Sequence, residues 1–71
     1  MVDMFPVVST RISEMGYAAD TATVYVRFTD GVSWCYMNVP VDVWEQFVAS
    51  GSKGGFIHET LDAYPNGPAG I

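Results

Sequence analysis

Cys35 is the only thiol and His58 the only imidazole in this 71-residue chain. A cysteine nucleophile needs a base within hydrogen-bond reach. Here the residue pattern puts Cys35 on a strand and His58 on a helix, on different elements. Cys35 is expected on the core side of its strand, where a buried thiol acts as a small, unreactive hydrophobe. His58 and Asp62 lie one helical turn apart, a spacing at which imidazole and carboxylate can share a proton or a metal ion. No third ligand accompanies them, and a solvated helix face is the plainer reading. One Cys and one His fall short of the four ligands of a structural zinc site. The eight carboxylates are scattered, with no pair spaced for acid–base work. No catalytic residue, metal or cofactor is expected from this set.

Two other sets point to binding rather than to reaction. Tyr25, Arg27, Trp34 and Tyr36 fall on two neighbouring strands at a spacing that places them on one sheet face. Aromatic side chains can stack nucleobases at about 1–3 kcal/mol each while a cation meets phosphate. The same residue types anchor protein interfaces. Alternatively, a helix covers this face, or Arg27 rests on Trp34 as a cation–π pair. The second set is Ser52-Lys53-Gly54-Gly55 at a helix start, where backbone N–H groups and an ammonium could hold an anion. It lacks the spacing of a phosphate-binding P-loop. An interhelical turn using permissive glycine backbone accounts for it equally well.

The elements that position these residues follow from local pattern. Residues 1–7 read as an extended lead-in, because Pro6 forbids an early helix. Between Ser9 and Tyr17, Ile12, Met15 and Tyr17 cannot share a face of a regular strand, which predicts a bulge near Ser13–Glu14 or at Gly16. Thr23–Phe28 and Ser33–Met37 are rich in β-branched and aromatic residues around Asp30-Gly31, a pair suited to a two-residue hairpin turn. That turn pairs Val26 with Cys35 and Arg27 with Trp34. One face then carries Val24, Val26, Phe28, Cys35 and Met37, and the other Thr23, Tyr25, Arg27, Trp34 and Tyr36. A one-residue bulge in the turn would reverse the parity. Pro40 and Asp42 open a helix whose stripe is Val43, Trp44, Phe47 and Val48, ended by Gly51. Ser52 caps a second helix, striped by Phe56, Ile57, Thr60, Leu61 and Tyr64 and stopped by Pro65. Residues 66–71, rich in Gly and Pro, are expected to fray as a flexible tail.

Composition narrows the partners. Half the chain is apolar (49%) and only 15% is charged, the reverse of a disordered profile. A chain of this length folds as one domain and buries only about 60% of its unfolded surface, so single core residues matter. Three cations, Arg11, Arg27 and Lys53, stand against eight carboxylates, a formal net charge of -5. That balance disfavours non-specific nucleic-acid binding and anionic membranes. No apolar run approaches the roughly 20 residues of a membrane span. The N-terminal residues lack the basic and apolar pattern of a secretory leader. With a lone cysteine, the expectation is a soluble protein of a reducing, cytoplasmic compartment.

The order of features resembles the KTSC domain, a family named after the C-terminus of some lysyl-tRNA synthetases and also found as small stand-alone bacterial or phage proteins. The matching pieces are Ser9-Thr10 with Ile12, Met15-Gly16-Tyr17, the Val24-x-Val26-x-Phe28 strand and Gly31. They continue with Trp34-Cys35-Tyr36, Val39-Pro40, Ser52-Lys53-Gly54, Phe56-Ile57 and Tyr64. Together they span residues 8–65. The resemblance implies a fold but no established activity, and the synthetase context makes RNA a plausible ligand of such domains. This chain departs from the pattern with Trp34 for a usual Tyr, His58 for a usual Asn, and Asp62 where a basic residue is common. The last change removes charge that an RNA would need.

The expectation is therefore an α+β domain over residues 8–65, a three-stranded antiparallel meander of order 1-2-3 followed by two short helices (βββαα). The leading function is a non-enzymatic module that binds a protein partner through the aromatic surface, as a phage or bacterial accessory protein. The alternative is an RNA-binding module, with Trp34 and Tyr36 stacking bases and Arg27 and Lys53 on phosphate. Self-association through the third-strand edge or the aromatic face, giving a homodimer, stays open.

Overall fold

A computed structural model describes residues 2–71. Its elements are β1 (Phe5–Pro6), β2 (Ile12–Ala18), β3 (Thr23–Phe28), β4 (Ser33–Tyr36), α1 (Val41–Ala49), α2 (Lys53–Glu59), a single 3-10 turn (Leu61–Ala63) and β5 (Asn66–Pro68). The α+β class is as expected, but the sheet has five antiparallel strands in the order β1-β2-β3-β4-β5 rather than three. The three expected strands form its centre. The additional strands are short edges at the two ends of the chain. Phe5 pairs with Met15 and Pro6 with Glu14, while Asn66, Gly67 and Pro68 pair with Tyr36, Cys35 and Trp34. The segment expected to fray thus begins with a paired strand. Local composition concealed it, since Asn-Gly-Pro has low strand propensity and is held by its neighbour. Each edge carries a proline, which withholds a backbone donor from any further strand.

The bulge predicted in the first long strand lies at the first of its two expected positions. The β2–β3 register shifts between Ile12 and Glu14, leaving Ser13 as the extra residue. Its backbone carbonyl accepts from Val7 N–H at 3.1 Å, and its hydroxyl donates to the Arg27 carbonyl at 3.2 Å. The bulge brings Ile12, Met15 and Tyr17 onto one face, opposite Phe28, Val26 and Val24.

The β3–β4 hairpin corrects the predicted parity. Val26 pairs with Trp34 and Tyr25 with Cys35, one residue out of the expected register. The loop is Thr29-Asp30-Gly31, three residues rather than two: Phe28 N–H donates to Val32 O at 2.8 Å and Gly31 N–H to Phe28 O at 2.9 Å. Only Gly31 takes a positive φ, +94°, whereas a two-residue turn of the expected type needs it at both positions. The Asp30 carboxylate instead accepts from Val32 N–H at 3.0 Å. A one-residue slip sends every β4 side chain to the opposite face. Trp34 and Tyr36 therefore turn to the helix side, and Cys35 joins Tyr25 and Arg27 on the other.

Both helices cover one face. The core is Ile12, Met15, Val24, Val26, Tyr36, Val39, Phe47, Ile57 and Leu61, with Tyr17, Phe28, Trp34, Trp44 and Phe56 packed on it. Trp44 of α1 stacks on Tyr17 at 5.3 Å between ring centroids, and the Tyr17 hydroxyl donates to Val39 O at 2.7 Å. The helix is thereby fastened to the sheet by an aromatic pair and a hydrogen bond. Its C-terminus does not use Gly51 in a left-handed conformation, as expected. Ser50 turns extended, and the Lys53 ammonium donates to the carbonyls of Val48 and Ser50. Ser52 caps α2 as predicted, its hydroxyl accepting from Gly55 N–H at 3.3 Å.

Candidate functional site

The four residues expected on one binding face are divided by the sheet. Tyr25 and Arg27 lie on the face away from the helices; Trp34 and Tyr36 lie beneath α2. Arg27 is committed to an ion pair with the Glu14 carboxylate across the β2–β3 ladder, and its Nε donates to Ser33 Oγ at 3.4 Å. Both partners are about one-third exposed, so the pair is a surface interaction worth roughly 1 kcal/mol or less. Arg27 and Trp34 occupy opposite faces, so the alternative cation–π pairing is also ruled out.

The motif pieces that were far apart in sequence meet at one end of the sheet. Ser9 Oγ accepts from the backbone N–H groups of Arg11 and Ile12, at 3.2 and 3.3 Å, and turns the chain as it enters β2. The Arg11 carbonyl accepts from Thr29 N–H at 2.9 Å, which fixes the backbone beside the hairpin. The Arg11 stem then crosses Gly54 so closely that a Cβ there would stand 3.1 Å from its Cγ. A side chain at 54 would require the arginine stem to give by a few tenths of an ångström. On one side of this contact is a cavity of about 570 Å³ between Ser9-Thr10-Arg11 and Ser50-Gly51-Ser52-Lys53-Gly54. On the other is a cleft of about 300 Å³ lined by Phe28, Trp34, Tyr36 and Asn66 of the sheet and by Ile57 of α2 and Asp62 of the 3-10 turn. Arg11 and Gly54 border both.

The electrostatics of this region are uneven. Lys53, expected to meet an anion with Ser52 and Gly54, spends its ammonium on two backbone carbonyls of α1 and its C-terminal turn. The Ser52 hydroxyl is likewise used as a cap. Arg11 has no ion pair or side-chain hydrogen bond among the described residues. In the cleft, Tyr36 is pushed up to about 12 by burial, with the Asp62 charge adding to the rise and Arg11 opposing it. The phenol therefore stays neutral, with a cation and an anion both within electrostatic reach. Trp34 Nε1 donates to Asn66 Oδ1 at 3.1 Å, and Asn66 Nδ2 to Tyr64 O at 2.8 Å, so the indole is held by β5.

His58 and Asp62 stand 4.0 Å apart on an exposed surface. Among the described residues, no group of three or more His, Cys, Asp and Glu side chains is placed to hold a metal ion. No described helix is long and apolar enough to cross a membrane. Cys35 is half-buried on the face away from the helices, not in the core where its strand position suggested. Local pattern marks Arg11 only as a charge. The signal that singles it out is scarcity: with three cations in the chain, each one's partner can be asked for in turn.

The fold and the cleft define a small α+β domain with a sheet covered on one face. The KTSC domain profile matches residues 8–63, and the chain belongs to the KTSC domain family. A protein of Tsukamurella paurometabola is 34% identical to it over 55 residues, covering 78% of this chain and 82% of that one. The crystal structure of a KTSC domain protein from Yersinia pestis is similar over 99% of this chain and 100% of that one, with a TM-score of 0.88 and 26% identity.

Proposed function

We propose that this KTSC domain is a non-enzymatic interaction module whose binding surface is the junction of the two cavities beside Arg11, and that its partner is a protein. The observation that carries the reading is Arg11 itself. It is the one cation without an acceptor among the described residues, and it lies between a polar cavity and an aromatic-walled cleft. Trp, Tyr and Arg are the residue types enriched at protein interface hot spots. Half-buried Trp34 and Phe28 supply apolar wall without unfolding of either helix.

RNA is the weaker alternative on the same geometry. Phosphate binding draws affinity from several neutralised charges. Here Arg27 pairs with Glu14, Lys53 serves α1, and Asp62 lines the cleft, so a single arginine is left for phosphate. Tyr36 is only 2% exposed and offers no open ring for stacking.

The test is affinity capture from a lysate of the source organism, with and without ribonuclease, using the wild type and the folded variants Arg11→Gln and Trp34→Ala. Proteins captured by the wild type, unaffected by ribonuclease and lost with both variants support the reading. Capture that vanishes on ribonuclease treatment, or that both variants retain, contradicts it.

A further inference from the structure

Tyr36 combines two properties that seldom coexist. Its residue surface is 2% exposed, yet its hydroxyl has no hydrogen-bond partner among the described residues. Since among the described residues no fully buried side-chain N or O is left without a partner, the residual exposure of Tyr36 includes that hydroxyl, and the cleft it lines is where it opens. A phenol locked by burial and facing a cleft is a fixed donor. Arg11, unpaired, borders the same cleft and brings a planar fork of donors suited to a carboxylate. Asp62 brings an acceptor with a negative charge. The apolar parts of Phe28, Trp34 and Ile57 form the remaining wall.

From this arrangement we infer that the cleft receives the C-terminal residue of a partner polypeptide. The terminal carboxylate meets Arg11 and the Tyr36 hydroxyl, the last amide N–H meets Asp62, and an apolar terminal side chain lies along Trp34 and Phe28. The inference rests on the protein-binding reading and specifies its ligand. A chain terminus carries one negative charge and an N–H donor on the same residue, which matches one cation and one anion lining the same small cleft. An RNA phosphodiester carries a single negative charge too, but no N–H donor for Asp62, which repels it. A volume of about 300 Å³ is the lower end of ordinary ligand sites and suits one residue rather than a long segment.

The experiment titrates the ¹⁵N-labelled domain with N-acetylated tetrapeptides ending in Leu or Phe, each as the free acid and as the C-terminal amide. The free acids are expected to shift the Trp34 indole and Arg11 side-chain N–H resonances and to bind at least about tenfold more tightly than the amides, because a charge-assisted pair is lost in the amide. Arg11→Gln should remove that acid–amide difference, and Tyr36→Phe should reduce it while leaving the fold intact. Equal binding of acid and amide that still shifts the Trp34 indole overturns the inference and leaves the cleft as a protein-binding surface. No shift with any peptide at millimolar concentration overturns it too, and the capture experiment then decides separately whether proteins bind at all. Displacement of the acid peptide by equimolar inorganic phosphate, or by a short RNA, shows a general anion site and also overturns it.

Discussion

The two faces of the sheet carry similar residue types and put them to different uses. On the outer face, Arg27 is neutralised by Glu14, and Tyr25 stands between Gly16 and Cys35 across the ladder. Both chain ends return to this face. Asp3, Met4 and Val2 approach Gly16 so closely that a Cβ there would lie 2.5 Å from the Asp3 carbonyl oxygen, and Ser33 Oγ donates to the Ile71 carbonyl oxygen at 3.3 Å. The recess around Tyr25 is lined by Asp3 and Asp20 and, among the described residues, by no cation. On the helix side, Arg11 has no side-chain partner among the described residues, and a phenol lines a cleft. Aromatic content is common to both faces; what differs is which charged groups the fold engages, Arg27 on the outer face and not Arg11 on the helix side, among the described residues.

That contrast can be broken or sharpened by substitution. The largest effect is expected from Phe47→Ala, which empties the layer joining α1 to the sheet and should cost about 3–5 kcal/mol in urea unfolding. In so small a domain this is enough to lose the helix side altogether. Gly16→Ala attacks the outer face, pushing the segment at Asp3 off the sheet at a cost of about 1–3 kcal/mol. Hydrogen exchange should then rise in residues 2–6 and not in α2. If α2 loosens equally, the two faces are not independent.

Alkaline pH probes the cleft directly. Tyr36 keeps its proton to about 12 in the folded chain, against an ordinary value of 10.0. The folded state therefore holds the proton more tightly than the unfolded one. That contribution is full below pH 10 and is lost as pH rises through 10 to 12. Wild type should lose stability over this range, and Tyr36→Phe should lose less. An identical profile for the two would show that the phenol is not sequestered. Lys53→Met keeps the stem but removes the donors at the end of α1, for a loss of about 1 kcal/mol. The smallest effect is on the outer face: Glu14→Gln should cost under about 1 kcal/mol and matter less still in high salt.

Much of this fold was legible in local pattern. The bulge before Glu14 followed from three apolar residues that could not otherwise share a face, and the Ser52 cap from its place before Lys53-Gly54. What local pattern could not decide was a single turn. Asp30-Gly31 suits a two-residue loop, but Asp30 serves the turn with its side chain, and Thr29 becomes the third loop residue. That one residue put Trp34 and Tyr36 on the helix side and separated them from Tyr25 and Arg27, with which they were expected to share a face. The edge strands were hidden because each takes its conformation from a neighbour. Of the residues singled out by local pattern, Ser52, Lys53 and Gly54 border one cavity and Trp34 and Tyr36 the other, while the place of Arg11 beside Gly54, bordering both, depends on tertiary packing that local pattern does not show.

The most direct measurement sets the faces against each other in one capture experiment, with folded Arg11→Gln and Tyr25→Ala domains as parallel baits and the recovered proteins quantified against wild type. The helix-side cleft as binding surface predicts loss of the captured proteins with Arg11→Gln and wild-type recovery with Tyr25→Ala. Loss with Tyr25→Ala and full recovery with Arg11→Gln would place the interface on the outer face and contradict the account.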